Sequence, residues 1–163
     1  MAKCVGEMRY ADDLNFFQMI YGKLLRNPLP HARIRAIRTE TADGLEGLYA
    51  VIQGKDQPEK FCVIPSTEDQ EALAVDKVRY VGNPIAAVAA ASEAISGKAS
   101  MLIDVDYEPL PPTFSIERAL VSKEDTWIHS WNRAANVQRP VSLEFGDVSQ
   151  GFDQADHIFF LSR

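Results

Sequence analysis

The 163-residue chain has few of the residues that build metal sites and disulfide frameworks. Its two cysteines, Cys4 and Cys62, are too few and too far apart for the disulfides of a small secreted domain, and free thiols favour a reducing compartment. The three histidines, His31, His129 and His157, have neither a histidine four positions away nor a cysteine pair at metal-ligand spacing. We therefore predict no metal site in this chain, and we interpret each histidine as solvated or hydrogen-bonded.

The chain also lacks long apolar runs and an excess of positive charge. No apolar stretch approaches the ~20 residues of a membrane span, and the N-terminus is charged too early for a signal peptide. A formal net charge of -6 argues against nucleic acid or an anionic membrane as a partner. These features predict a cytoplasmic protein. Four arginines form a basic stripe, namely Arg26, Arg33, Arg35 and Arg38. The stripe could bind an acidic partner surface, or it could be the solvent-exposed face of an edge strand.

Motifs that carry chemistry are scarce. The sequence contains neither a glycine-rich dinucleotide or phosphate loop nor a G-x-S-x-G nucleophile elbow. The stretch Asp76-Lys77-Val78 resembles the lysine turn of lipoyl-carrier domains, where an exposed amine is acylated. Because Lys77 leads directly into an apolar strand, a plain strand entry is the favoured interpretation, and an acyl carrier stays as an alternative.

Short strands separated by turns dominate the pattern. A chain of this length buries roughly 70% of its unfolded surface on folding, so it needs neither a disulfide nor a metal ion for stability. We predict an α+β fold of short, mostly antiparallel strands with two or three helices, the main one covering about Ser92 to Ile103. The predicted strands are 19–26, 31–38, 47–54, a pair within 78–90, one within 102–112, 136–147 and 157–162. The other predicted helices are 115–121 and a turn or helix at 147–155.

The segment VRYVGNPIAAVAA, residues 78–90, combines a turn with an apolar strand. Glycine tolerates positive φ and proline cannot donate within a ladder, so a turn is expected from Gly82 to Pro84. Both alternating faces of 85–90 are apolar, which is typical of a strand covered on two sides. The predicted core is Val78, Tyr80, Ile85, Val88, Leu102, Ile103 and Val105.

Six segments, in order along the chain, resemble one known domain. They are KCVGEMRYADDL, GKLLRNPLPHARIRAI, GLYAVIQGKDQP, ALAVDKVRYVGNPIAAVAA, LIDVDYEPLPP and EFGDVSQGFDQADHIF. Together they resemble the N-terminal α/β hammerhead of the molybdenum-binding large subunit in the xanthine dehydrogenase and aldehyde oxidase family. The stretch VIPSTEDQEALAVDKVRYVG looks most like bacterial large subunits such as 4-hydroxybenzoyl-CoA reductase and carbon monoxide dehydrogenase. The resemblance implies a structural family motif made by Tyr80, Gly82, Pro84, Tyr107, Glu108 and Pro111.

The resemblance also implies a larger parent enzyme. Residues 1–122 would form the hammerhead core, and 123–163 a linker and the start of a molybdopterin-binding region, with both ends of the chain cropped. The parent would hydroxylate or reduce an aromatic, heterocyclic or aldehyde-like substrate. Electrons would pass to 2Fe-2S clusters and FAD on partner subunits or domains. The family's catalytic, cofactor-binding and metal residues lie beyond these 163 positions, so none is assigned here.

Three hypotheses about function follow. The first is the structural portion of a molybdenum hydroxylase large subunit, inactive alone and prone to self-association. Its partners would be the remainder of that subunit together with the iron-sulfur and flavin subunits. The second is a stand-alone assembly or scaffolding module without redox activity. The third is the acyl carrier that uses Lys77, which would show as a mass increase on the intact protein.

Overall fold

The computed structural model describes residues 3–62, 69–129, 136–137 and 140–160. Its strands are β1 Tyr21–Arg26, β2 Ala32–Arg38, β3 Leu48–Gln53, β4 Lys60–Phe61, β5 Gln70–Glu71, β6 Lys77–Val78, β7 Pro84–Ala90 and β8 Asp104–Pro109. Its helices are α1 Glu40–Asp43, α2 Glu93–Leu102, α3 Ile116–Leu120 and α4 Val148–Asp153. Three single 3-10 turns lie at Ala11–Asp13, Gly54–Asp56 and Glu124–Thr126.

Two three-stranded sheets form the body of the domain. Sheet A has the strand order β1-β7-β3, sheet B has the order β6-β2-β8, and β4 and β5 form a separate short pair. Every strand pair in the described residues is antiparallel. Neighbours in the sheets are distant in the sequence, since β1 pairs with β7 and β2 pairs with β8. The predicted α+β fold with mostly antiparallel strands is confirmed.

Helix α2 covers one side of sheet A, where it packs mainly on β1 and β7. It begins after Ser92, whose hydroxyl accepts a hydrogen bond of 3.3 Å from the backbone N–H of Ile95, as expected of an N-cap. Ser96 and Ser100 are buried, and their hydroxyls donate to carbonyls of the preceding turn of the helix. The predicted main helix is therefore confirmed, and it forms in spite of Gly97.

Two clusters of apolar side chains make the core. One joins sheet A to α2 through Ala42, Ala86, Val88, Ala99 and Ile103, and the other joins the two sheets through Ala32, Ala74, Val78 and Ile85. Leu25 and Val105 pack against both clusters. Four of the predicted core residues are buried, namely Val78, Ile85, Val88 and Ile103, while Leu102 and Val105 are half-buried.

The prediction that Tyr80 lies in the core is wrong. Its side chain is 56% exposed, because it sits in the turn between β6 and β7 and not in either strand. Alternation along a strand governs which side chains are buried, and that alternation stops where the strand stops. Tyr80 contributes its backbone carbonyl to the interior of the turn instead of its ring.

The C-terminal strands predicted at 136–147 and 157–162 do not form in residues 140–147 and 157–160; positions 138–139 and 161–162 lie outside the described residues. Val141, Leu143 and Phe145 are exposed and have no neighbouring strand within the described part of the chain. Alternating apolar residues form a strand only where another strand accepts their backbone hydrogen bonds.

The predicted short helices are confirmed as α3 and α4.

The described part of the chain contains no helix with both the length and the apolar character needed to cross a bilayer.

Candidate functional site

The turn between β6 and β7, residues 79–83, is held in place by Asn27. This side chain is only 2% exposed. Its amide Nδ2 donates to the carbonyl of Tyr80 at 2.8 Å, and its Oδ1 accepts from the backbone N–H of Leu29 at 2.7 Å. Its backbone N–H donates to the carbonyl of Asn83 at 3.1 Å, and its carbonyl accepts from Gly82 at 2.8 Å. Both the side chain and the backbone of Asn27 therefore bind across the turn.

A second buried asparagine closes the turn from within. The Oδ1 of Asn83 accepts from the backbone N–H of Arg79 at 3.2 Å, and its own N–H donates to the carbonyl of Tyr80 at 3.2 Å. The guanidinium of Arg26 donates to the carbonyl of Gly82 at 2.8 Å. Gly82 has φ +87°, a left-handed conformation that disfavours any residue with a Cβ. The shape of this turn is set by several contacts at once.

Tyr80, Gly82 and Pro84 of the motif are brought together in this turn. The Tyr80 side chain projects into solvent beside exposed Val81. Pro84 begins β7 opposite Arg26, and its carbonyl accepts from the backbone N–H of Ala74 at 2.8 Å. Proline fits here because it starts the strand and has no N–H to leave unpaired. The structure thus places one motif side chain outward and uses the other two for backbone geometry.

Tyr107, Glu108 and Pro111 lie in and just after β8, the other half of the motif. Tyr107 packs against the cluster between the two sheets, and its burial raises the pKa of its phenol. A carboxylate oxygen of Glu108 lies 2.6 Å from the guanidinium Nη2 of Arg35. The carbonyl of Pro111 faces Nδ1 of His31 at 3.1 Å. This half of the motif is separate from the turn and contacts β2 and the residue before it.

His31, the residue before β2, is buried and contacts the chain just after β8. Because a carbonyl can only accept, its Nδ1 carries the proton and donates to Pro111. The backbone carbonyl of His31 accepts from Leu110, and its Nε2 has no hydrogen-bond partner in the described residues. Burial lowers the pKa of His31, and the nearby cations Lys77, Arg79 and Arg33 lower it further against the opposing hydrogen bond to Pro111. The ring is therefore neutral at pH 7.

A cluster of charged side chains connects β6 with residues 127–129. The Nη1 of Arg79 lies 3.3 Å from a carboxylate oxygen of Glu71, and its Nε donates to the carbonyl of Ile128 at 3.3 Å. The ammonium of Lys77 donates to the carbonyl of Trp127 at 2.8 Å. Desolvation by burial is the main cause that lowers the pKa of Lys77. Lys77 and Arg79 therefore bind the backbone of Trp127 and Ile128, some fifty positions later in the chain.

This position of Lys77 contradicts the acyl-carrier hypothesis. A carrier lysine must stand free at the tip of a hairpin, where a modifying enzyme can reach its amine. Lys77 lies in β6, which pairs with β2, and its amine is held against the carbonyl of Trp127. The favoured interpretation, an entry into a strand, agrees with this geometry.

Three of the four arginines of the predicted basic stripe pair with carboxylates of sheet B, whereas Arg26 lies in β1 of sheet A and donates to the carbonyl of Gly82. Arg38 lies 2.7 Å from Asp104, and Arg35 and Arg33 lie 2.6 and 3.8 Å from Glu108. The edge-strand interpretation is wrong for Arg33, Arg35 and Arg38, because β2 is the middle strand of sheet B, and it holds only for Arg26, because β1 is an edge strand of sheet A. Half-exposed pairs of this kind stabilise a fold by roughly 0–1 kcal/mol each. The three arginines of β2 therefore make ion pairs across to β8.

The sequence predicts Asn27 and Asn83 only as residues of local turns, and it does not predict that the Asn27 side chain binds the turn at 79–83. Asn27 and Asn83 each precede a proline, in NPLP and GNP, and asparagine in that position often bonds to the backbone two residues on. That signal predicts a local turn, and the Asn27 side chain does accept from Leu29 in that way. The contact with Tyr80, which joins two turns far apart in the sequence, has no local signal.

The described residues do not supply a set of ligands for a metal or a metal-bound cofactor. No group of three or more histidine, cysteine, aspartate or glutamate side chains in that part of the chain is placed to hold an ion. Cys4 is exposed and Cys62 half-buried, and both are free thiols. An iron-sulfur cluster takes about four protein ligands. We therefore derive no chemical step through a molybdenum or iron centre from these residues.

Comparison with known proteins agrees with the two-sheet architecture. Residues 5–111 match the family described as aldehyde oxidase and xanthine dehydrogenase, a/b hammerhead domain. The chain belongs to this hammerhead family. The match includes both halves of the motif, from the Tyr80 turn to Pro111. The family resemblance predicted from the six segments is confirmed.

Relatives and solved structures of the hammerhead family match nearly the whole chain or most of it. A probable xanthine dehydrogenase subunit of Bacillus subtilis is 41% identical over 96% of this chain and 20% of its own length. The carbon monoxide dehydrogenase large chain of Afipia carboxidovorans is 35% identical over 65% of this chain and 14% of its own. The aldehyde oxidoreductase structure of Desulfovibrio gigas superposes with a TM-score of 0.66 at 30% identity, over 77% of this chain and 15% of that one.

Proposed function

We propose that this chain is the hammerhead portion of the large subunit of a molybdenum hydroxylase. The observation that carries the proposal is one of coverage: the Bacillus subtilis relative matches 96% of this chain, yet the chain spans only 20% of that relative. The parent enzyme would hydroxylate or reduce a carbon centre of an aromatic, heterocyclic or aldehyde-like substrate. Of the two bacterial branches named above, the carbon monoxide dehydrogenase branch is supported by one relative.

The role of this chain in that enzyme is structural. Residues 1–122 are proposed as the hammerhead core and 123–163 as the linker toward the molybdopterin-binding region. The motif residues Tyr80, Gly82 and Pro84 are proposed to shape the β6–β7 turn, and Tyr107, Glu108 and Pro111 to fix β8 against β2. The contacts of Asn27 and the ion pair of Glu108 with Arg35 support this assignment.

The proposed cofactor would bind outside these residues. Molybdopterin in the parent would supply the redox-active metal for the reaction, and 2Fe-2S clusters and FAD on partner subunits or domains would carry the electrons away. In the described residues, no group of three or more histidine, cysteine, aspartate or glutamate side chains is placed to hold a metal ion. We also propose a cytoplasmic location, on the basis of the two free thiols.

The proposal is tested by comparing two lengths of the same gene product. The full-length polypeptide encoded by the gene and the 163-residue chain are purified side by side by gel filtration, and molybdenum is measured by elemental analysis. We expect near-stoichiometric molybdenum in the full-length protein, and none in the 163-residue chain, which should be colourless and inactive toward aldehydes, purines and aromatic thioesters. A reading frame that ends at Arg163 would support the stand-alone scaffold instead, and stoichiometric molybdenum in the short chain would contradict the structural role.

A further inference from the structure

The two faces of sheet A differ in what covers them. On one face Ala86, Val88 and Ala90 of β7 are buried, and Val88 packs with Ala99 of α2. The other face consists of the residues that alternate with these and their partners on the flanking strands. We call it the outer face of sheet A, and it comprises Gly22, Leu24, Ala50, Ile52, Ala87 and Ala89.

The register places these six residues in two rows across the sheet. Ala87 lies between Leu24 and Ile52, and Ala89 lies between Gly22 and Ala50. None of the six side chains is polar, yet Leu24 is 43% exposed and Ile52 is 37% exposed. Gly22 and Ala50 are exposed as well, and the two alanines of β7 are half-buried. The helices that contact sheet A, α1 and α2, leave this face open to solvent.

Such a face is unusual for a sheet that remains in water. Antiparallel sheets with one solvated face normally carry polar side chains there, whereas strands that are apolar on both faces are covered on both. β7 reads as apolar on both sides from Pro84 to Ala90. The apolar composition of the outer face therefore indicates that another structural element packs on it, and the described residues do not supply that element.

The size of the outer face argues against a second copy of this chain as the cover. A stable interface takes about 800 Å² and 20–30 residues from each partner. The outer face offers six residues, and four of them are glycine or alanine. A contact of this size persists only when its partner is held close by other means, and covalent continuity is the simplest of these.

The shape of the outer face fits a single helix. Neighbouring strands lie about 4.8 Å apart, so the outer strands of a three-stranded sheet are about 10 Å apart, which matches the diameter of one helix. Glycine and alanine let a helix approach the backbone closely. The opposite face of β7 already receives α2 on alanines in this way.

We propose that the outer face of sheet A receives the apolar stripe of a helix from the remainder of the same large-subunit polypeptide. The inference rests on the proposed function, because it requires the chain to be part of a longer protein. It places sheet A between two helices, with α2 on one side and the docked helix on the other.

The experiment places a photo-crosslinking amino acid at position 87 of the full-length polypeptide, with position 94 as the control. Ala94 is an exposed alanine on α2, outside the outer face. We expect position 87 to give an adduct with a peptide of the same polypeptide that lies in a helix with an apolar stripe, in at least fivefold higher yield than position 94 gives with that peptide. An adduct with a second copy or another subunit, or no adduct, would overturn the proposal.

A charge substitution gives an independent check. Ala50→Glu and Ala94→Glu are each made in the 163-residue chain and in the full-length polypeptide. In the short chain both should melt within about 2 °C of the parent, because both sites face solvent. In the full-length protein Ala50→Glu should lower the yield of folded protein at least fivefold relative to Ala94→Glu; equal yields, or unfolding of the short chain by Ala50→Glu, would overturn the proposal. Failure of the proposed function would show differently, as a full-length protein without molybdenum or a gene that ends at Arg163.

Discussion

At the scale of single residues, the turn that presents Tyr80 depends on a side chain 53 positions earlier in the chain. Asn27 is buried and satisfies the carbonyl of Tyr80 and the N–H of Leu29 with one amide group. Buried polar groups that lose their partner cost about 1–3 kcal/mol each. Asn27 therefore joins the motif turn to the connection between β1 and β2.

We expect Asn27→Ala to lower the free energy of unfolding by roughly 1–3 kcal/mol, since it leaves the N–H of Leu29 unpaired and removes one of the two donors to the carbonyl of Tyr80. Urea unfolding of the 163-residue chain measures this. Asn15→Ala is the matched control, because Asn15 is exposed and should change stability by less than about 0.5 kcal/mol. Equal stabilities of the two variants would contradict the role assigned to Asn27.

His31 makes stability depend on pH in a definite direction. Burial lowers its pKa below the ordinary value of 6.5, so the folded protein stays neutral where the unfolded chain already takes up a proton. This contribution is fully present above pH 6.5 and is lost as the pH falls below it, at up to about 1.4 kcal/mol per pH unit. His129, whose pKa burial also lowers, adds in the same direction.

We therefore expect His31→Asn to flatten the decline of the unfolding free energy between pH 7 and pH 5.5. The asparagine amide can still donate to Pro111 from the position of Nδ1, but it does not titrate. Asn15→Ala, at an exposed site, is the control and should keep the slope of the parent. The assignment is wrong if urea titrations at four pH values give the same slope for His31→Asn and the parent.

The residues of the motif show how far a sequence predicts side-chain positions. The positive φ of Gly82 follows from the chemistry of glycine and agrees with the predicted turn, whereas β7 begins at Pro84, one residue before the predicted strand. The exposure of Tyr80 was not expected, because the apolar run that follows it suggested a strand that already includes it. Burial of a turn residue depends on which way the turn projects, and that is set by the distant Asn27.

At the scale of elements, two glycines with equal space around them should respond oppositely to the same change. A Cβ added at Gly97 or at Gly82 would meet no atom within 4 Å. Gly97 lies inside α2 with helical backbone, whereas Gly82 has φ +87°. Backbone conformation alone therefore distinguishes the two sites.

We expect Gly97→Ala to raise the free energy of unfolding by about 0.5–1 kcal/mol and Gly82→Ala to lower it by about 1–2 kcal/mol. Chemical denaturation of both variants of the 163-residue chain gives the two values under one set of conditions. Changes of the same sign would show that packing, and not backbone conformation, decides the outcome at these glycines.

The elements that the sequence predicted best are those with partners inside the domain. β1, β2, β3, β7 and β8 all fall within predicted strands, and each pairs with another strand. The segment at 140–147 has a similar alternation, and the segment at 157–160 is an apolar run, but neither forms a strand there. Periodicity reports which side chains could be buried together, and it cannot report whether a neighbouring strand is present. The family resemblance predicts the fold without knowledge of which strands pair, because it rests on the order of six sequence segments.

At the scale of the whole molecule, the exposed apolar side chains concentrate in the chain before β1 and after β8. Phe16 and Phe17 precede β1, and Val141, Phe145 and Phe159 follow α3, all of them largely exposed. Soluble monomers rarely show contiguous apolar surface beyond a few hundred Å². The isolated chain is therefore prone to associate through these segments.

We expect the 163-residue chain to self-associate with rising concentration, as measured by multi-angle light scattering. A variant that carries Leu143→Lys, Phe145→Lys and Phe159→Lys should remain monomeric at concentrations where the parent does not. A control with lysine at three exposed polar sites, Gln18, Gln57 and Gln70, tests whether added charge alone has this effect. The expectation fails if the parent is monomeric throughout, or if the control and the apolar-site variant behave alike.

The strand order of the two sheets also determines how the domain can fold. Each sheet combines strands from the beginning and the end of residues 21–109. In sheet A, β1 pairs with β7, and in sheet B, Arg38 of β2 bonds to Asp104 of β8, 66 positions later. When paired strands lie this far apart in the sequence, the chain must close a large loop, and lose conformational entropy, before the strand contacts form. Such folds form on the order of milliseconds to seconds. On a ribosome, β1, β2 and β3 would emerge with none of their sheet partners made. Neither sheet could be completed until β7 and then β8 had left the exit tunnel, so the first half of the domain depends throughout that interval on avoiding contacts with other chains.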